Sequence, residues 1–115
     1  MTKVVNIKYN QCDFKIMRPT MWGNIFSHVS GSTAEIAVGT RLESIECYRD
    51  WLLGDDFLDF KQEERMKILK NLHKLKDHRL GCVCPPKLCH GNVLAQLADQ
   101  EINEQNLDKA NIVLD

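Results

Sequence analysis

Hydrophobic and polar positions alternate over residues 3–9, where Val4, Val5, Ile7 and Tyr9 are apolar. They alternate again over residues 13–17, where Phe14 and Ile16 share one face and Lys15 and Met17 the other. A period of two predicts strands, and the short turn 10–12 between them predicts a hairpin. Further along the period changes. Leu42, Ile45, Tyr48 or Arg49, and Leu52 follow helical spacing, with Trp51 widening the stripe. Thr40-Arg41-Leu42-Glu43 is a capping box and Gly54 a C-terminal cap, so the predicted helix runs over 40–53. A second helix is predicted over 62–76, with Met66, Leu69, Leu72 and Leu75 as its buried stripe and Ile68 beside it. Residues 79–84, small and apolar in series, predict a strand buried on both faces, ended by Pro85-Pro86. A third helix is predicted over 92–103, facing inward with Val93, Leu94, Leu97, Ala98 and Ile102. The small and polar stretch 27–39 reads as a surface loop suited to a lid, with His28 as a loop histidine. The expected architecture is a single α/β domain over residues 1–103, a small mixed sheet of about three or four strands with about three helices packed on it. A polar tail follows over 104–115, either frayed or a small edge strand.

Composition narrows the function classes without choosing one. The formal net charge of −1 supplies no global field toward nucleic acid or anionic membrane. The lysines and arginines of the second helix read as a solvated face. No apolar run reaches the ~18 residues a membrane helix needs, and residues 1–10 are too polar for a secretory core. Five cysteines, two of them spaced Cys-x-Cys, with no export signal point to reduced thiols. The expected location is therefore the cytoplasm, of the host cell if the chain is phage-encoded.

The candidate chemistry is concentrated in residues 80–94. Cys89, His90 and Gly91 stand where a loop enters a helix, a place that gathers free N–H groups and the positive end of the dipole. A cysteine there is expected to carry more thiolate. His90 is an acid or base beside it, and Gly91 permits close backbone approach. The alternative is zinc on Cys82, Cys84, Cys89 and His90, a familiar donor composition. Its spacing is poor: residues two apart on a strand stand ~6–7 Å apart at Cα, and adjacent Cys89 and His90 tend to point apart. Buried cysteines are also ordinary core residues. Earlier, Arg18, Trp22 and Asn24 bring together an anion fork, an aromatic face and an amide, although Trp22 and Phe26 serve equally well as core plugs. Arg41 in the first turn of its helix opposes the macrodipole, as a residue kept for an anion would, or as a surface arginine.

These motifs together resemble the family catalogued as domain of unknown function number 4326, short domains of bacteria and their phages. The resemblance rests on Arg18-Pro19, Trp22-Gly23-Asn24-Ile25-Phe26, Gly39-Thr40-Arg41, Tyr48 with Trp51-Leu52, Cys82 with Cys84, and Cys89-His90-Gly91, in order over residues 3–98. Ile25 stands where that family usually has Pro. The Cys-His turn also resembles one in uncharacterised family number 488, where the second strand cysteine is often Glu, which argues against a fixed zinc set. The resemblance implies a small α/β fold and no known reaction, and it groups Arg18, Asn24, Arg41, Cys89 and His90 as one set.

The expected function is binding of an anionic, nucleotide-like small molecule. Arg18 and Arg41 would hold the anion, Asn24 would orient it and Trp22 would wall it. Gly91 would approach it, with Cys89 and His90 in a catalytic role and no cofactor. The rival expectations are a non-catalytic protein that binds a host or partner protein, and a zinc-stabilised module.

Overall fold

The computed structural model describes residues 1–27 and 36–114. The expected lid, and His28 with it, fall largely outside the described residues. The chain is an α/β domain in which the strands form two small sheets, both parallel. Strands β1 (Lys3–Asn6), β2 (Phe14–Lys15) and β5 (Arg79–Cys82) make the first, in the order β1-β5-β2. Strands β3 (Phe26–Ser27) and β4 (Ile36–Ala37) make the second. Helices α1 (Arg41–Leu53), α2 (Gln62–Asn71) and α3 (Gly91–Asp99) supply the rest of the core.

The predicted hairpin does not form. β1 and β2 both run parallel to β5 and flank it, with Val4 opposite Leu80 on one side and Phe14 opposite Leu80 on the other. The connection crosses β5 instead of turning back beside β1. Gly81 makes the crossing feasible: a Cβ there would lie 2.5 Å from Cys12 Sγ and 2.7 Å from Ile7 Cγ2, so the connection occupies the space a side chain would need. Asp13 N–H donates to Arg79 O (2.9 Å) and Ile16 N–H to Gly81 O (3.0 Å), which sets β2 in register from both sides. Leu80, fully buried, points to the opposite face. There α3 lies so close that a Cβ on Gly91 would meet Ile16 Cδ1 at 2.7 Å and Val4 Cγ1 at 3.0 Å.

Helix α1 follows its local signals. Thr40 is extended and its hydroxyl accepts from Glu43 N–H at 3.0 Å, while the Glu43 carboxylate reaches back to Gly39 N–H at 3.3 Å. At the other end Gly54, at φ 77°, donates to Trp51 O, and Asp55 donates to Asp50 O at 2.8 Å. This double bond satisfies the last carbonyls. Tyr48, Trp51 and Leu52 are fully buried, as are Leu72, Leu75, Leu94 and Leu97. Helix α2 ends at Asn71 and tightens into a 3₁₀ turn over Leu72–Lys74, so Leu69, Leu72 and Leu75 of the predicted stripe are buried and Met66 partly so, although the α-helix is shorter than expected. The tail is docked. Gln96 exchanges two hydrogen bonds with the backbone of Val113, both 2.8 Å, and Gln100 exchanges two with Asn111 at 2.7 and 2.9 Å. Two amides one helical turn apart thus imitate a strand for the tail. No helix among the described residues is long and apolar enough to cross a membrane.

Candidate functional site

In parallel sheets, ligands collect beyond the carboxyl ends of the strands, where the chain leaves in different directions. Here β5 ends at Cys82, the segment after β2 carries Met17 and Arg18, and α3 begins at Gly91. A cavity of about 300 Å³ opens at this edge. Arg18, Asn24, Arg41, Cys82, Cys84, Cys89 and His90 line it, with Met17, Phe26 and Ile45 as its apolar wall and Ser27 and Ser44 among its polar neighbours.

The loop that shapes the cavity is held from outside. Beyond Cys82 the chain leaves the ladder, Val83 is turned out to solvent, and Lys87 N–H donates to Cys84 O at 2.9 Å to close a turn. Asn6 on β1 spans the loop with Nδ2, donating to Val83 O at 3.3 Å and Pro85 O at 2.8 Å. The Arg18–Pro19 and Pro85–Pro86 peptides are cis. Because the strand stops before Cys84, the strand geometry that made the cysteine spacing look poor does not apply. The Sγ atoms of Cys82, Cys84 and Cys89 all lie within 4.8 Å of one another, and the first two are 3.7 Å apart.

The sulfurs differ in environment. Cys84 is half-buried, and thiol hydrogen bonds from Cys82 and Cys89, with the Arg41 guanidinium behind them, hold it far below the usual thiol range. Arg41 Nη1 donates to Cys84 Sγ at 3.2 Å. Cys82 is pushed up, chiefly by its bond to Cys84. Cys89 is pushed up more strongly by its bonds to Cys82 and Cys84, with burial adding to them. Among the three sulfurs these shifts favour the thiolate on Cys84 and disfavour it on Cys89, the reverse of the sequence expectation. The start of α3 also offers less to an outside anion than its position in the sequence suggests. The N–H groups that begin α3 are spent inside the chain, Gly91 on Cys89 Sγ (3.3 Å), Asn92 on Cys89 O (2.9 Å) and Val93 on His90 O (3.0 Å). Among the described residues these three amides are therefore not open to an anion.

His90 turns away from the sulfurs. Its Nε2 meets Ile16 O at 2.7 Å and its ring stands edge-on to Tyr48 at 5.3 Å. Burial lowers its pKa, so the neutral imidazole is favoured, donating to Ile16. The four-residue zinc set thus reduces to three cysteines. Trp22 is buried and does not line the cavity; its carbonyl accepts from Tyr48 OH at 2.9 Å, so it is a core residue and not a ligand wall. Gly91 is packed on the sheet and is likewise absent from the wall. Asn24 uses Oδ1 on Phe26 N–H (2.9 Å) and Nδ2 on Ser44 O (3.3 Å), fixing the turn to α1. Arg18 Nη1 donates to Asn24 O at 2.8 Å. Among the described residues neither Arg18 nor Arg41 meets a carboxylate. Sequence reading missed the contributions of Asn6, Ser44 and Tyr48. Of these only Tyr48, at a buried helical position with a hydroxyl to satisfy, carried a signal.

Compared with known proteins, residues 2–100 match a family described as Domain of unknown function (DUF4326). An uncharacterized 12.4 kDa protein from the nrdA-td intergenic region of Enterobacteria phage T4 is 33% identical over 101 residues, covering 87% of this chain and 80% of the phage protein. No solved structure matches the chain.

Proposed function

The chain belongs to the DUF4326 family, and from that premise we propose that it binds an anionic, nucleotide-like small molecule in the cavity at the carboxyl end of β5. One observation carries the reading. Two guanidiniums line one cavity, Arg18 bonded to the Asn24 carbonyl and Arg41 to the Cys84 sulfur, and among the described residues neither meets a carboxylate. Anchoring one N–H of a five-donor fork leaves the others aimed outward at low entropic cost, which suits a phosphate or carboxylate. The apolar wall of Met17, Phe26 and Ile45 suits a flat or apolar remainder of the ligand. The cavity is at the small end of the range for ligand sites, so the ligand is of mononucleotide size or less. Reduced sulfurs on the cavity wall agree with a cytoplasmic setting.

The test is thermal unfolding in the presence of inorganic phosphate and a series of nucleoside mono-, di- and triphosphates. A ligand at a hundredfold excess over its Kd should raise the Tm by roughly 10 °C in a domain of this size. Arg18→Ala should abolish most of that rise. A series in which no phosphate compound shifts the Tm, or one that shifts Arg18→Ala as much as the parent protein, would overturn the reading.

A further inference from the structure

We propose that Cys82, Cys84 and Cys89 form a three-sulfur site for a thiophilic divalent cation, zinc foremost, with its fourth coordination position open to the arginine-lined cavity. The site goes beyond the anion reading and does not depend on it.

The argument begins with distance. A zinc–sulfur bond of ~2.3 Å in a tetrahedron requires sulfurs ~3.8 Å apart. Cys82 and Cys84 stand at 3.7 Å, and the third sulfur is within 4.8 Å of both, close enough for a small rotation to complete the face. Three cysteines from two segments, the end of β5 and the entry to α3, meet on one side of a cavity wall. Cysteines that merely fill a core have no reason to bring three sulfurs together beside a cavity.

The surroundings are those of a metal thiolate. Ligating sulfurs are commonly supported by outer donors that fix their orientation. Cys84 Sγ accepts from Arg41 and Cys89 Sγ from the backbone N–H of Gly91. Three thiolates around a divalent ion leave one net negative charge, and the Arg41 guanidinium stands in contact to balance it. This also gives the cation in the first turn of α1 a local role, through the Nη1 bond to Cys84 Sγ. Thiolate donors select zinc over the harder divalent ions.

The open position follows from what does not join the cluster. Among the described residues no further histidine, cysteine or carboxylate comes within the group. His90, the nearest candidate in sequence, has its Nε2 on Ile16 O. Three protein ligands with a free fourth place is the arrangement of sites that act on a bound molecule, whereas four closed ligands serve structure alone.

The test uses the full chain, purified without a histidine tag or chelator. Elemental analysis should find about one zinc per chain. After removal of zinc, cobalt(II) titration should produce sulfur-to-metal charge transfer and the visible bands of tetrahedral cobalt. Both should be lost in Cys84→Ser, the half-exposed member that is safest to change, and kept in Cys47→Ser. Adding azide or cyanide to the cobalt form should shift the visible bands without releasing the metal. Absence of stoichiometric metal together with an absence of charge transfer on titration would overturn the site, as would a Cys82–Cys84 disulfide in protein kept under reductant. Stoichiometric iron with sulfide would overturn zinc. Cobalt bands unmoved by azide and cyanide would overturn the open position. Arg18→Ala should keep the metal while losing the phosphate-induced rise in Tm, so failure of the metal site and failure of anion binding are read on separate instruments.

Discussion

The two ends of strand β5 treat charge in opposite ways. At its start, Asp13 accepts from Arg79 N–H at 2.8 Å, faces the Arg79 guanidinium at 3.6 Å and His78 at 3.4 Å. Close by, Asp99 accepts from both the N–H and the hydroxyl of Thr2, and that same hydroxyl accepts from Asp77 N–H. Asp13 and Asp99 thus both face donors supplied by the chain. At the other end, four residues away, the ionic side chains are arginines, and the chain gives them a carbonyl and a sulfur but, among the described residues, no acid. A fold that closes its ion pairs at one end of a strand and withholds them at the other is distinguishing structure from readiness to bind. Exposed pairs contribute little to stability in any case, so the lack of an acid beside these arginines costs the fold almost nothing.

Disturbing the strand that joins the ends should have the largest effect. Gly81→Val would drive methyl groups into Cys12 and Ile7, where a Cβ alone already falls at 2.5 and 2.7 Å. Overpacking of this kind costs about 1–3 kcal/mol and at times more, and here the side chains of both Cys12 and Ile7 would have to shift. Urea unfolding should show that loss, and the phosphate-induced Tm rise should vanish with it, because Cys82 and Arg18 are both set by the register at this residue. A variant as stable as the parent would mean that the crossing over β5 is looser than the structure has it.

The elements with local signals were legible in the sequence, and those made by long-range pairing were not. Helix α1 could be read cap to cap because Thr40, Glu43 and Gly54 act within one turn of themselves. The stripes of α2 and α3 could be read from spacing. Five of the residues grouped by the family resemblance, Arg18, Asn24, Arg41, Cys89 and His90, do line one cavity. The parallel order of β1 and β2 was hidden, since a two-residue strand such as Phe14–Lys15 holds its place only through β5, more than sixty residues later. The meeting of the sulfurs was hidden for a related reason: an apolar series through Cys84 looks like a strand that continues, and nothing nearby says that Asn6 pulls the loop aside. The direction of His90 depended on a carbonyl at Ile16, seventy-four positions away.

An intermediate effect is expected on the far side of α3, which sharpens the comparison by standing clear of both ends of β5. Replacing Gln96 and Gln100 together by Ala removes four exposed hydrogen bonds to the tail. Exposed bonds of this type contribute at the low end of the usual range, so the pair should cost about 1–2 kcal/mol in all. Hydrogen exchange should show the Asn111 and Val113 amides losing protection, with cobalt binding and the phosphate response unchanged. A change in either response would mean that the tail and the cavity are coupled through α3.

The smallest effect isolates the charged start of β5 by pH. Arg79 N–H, ahead of His78 and the Arg79 guanidinium, holds the Asp13 carboxyl below its ordinary value. With the folded pKa depressed, the unfolded chain binds the proton more readily as the solution becomes acid. The stability this residue supplies is therefore whole above the unfolded carboxylate value, ~3.9, and drains away as pH falls through the lower folded value. Tm measured from neutral pH down to about 3 should fall less steeply for Asp13→Asn than for the parent below pH ~4, with the curves running parallel above it. Arg18→Gln, at the other end, should leave the slope unchanged, because among the described residues it meets a carbonyl and no carboxylate whose titration it could shift. Were the two variants to alter the acid limb equally, the arginines would have an acidic partner after all, and the contrast between the two ends of β5 would fall.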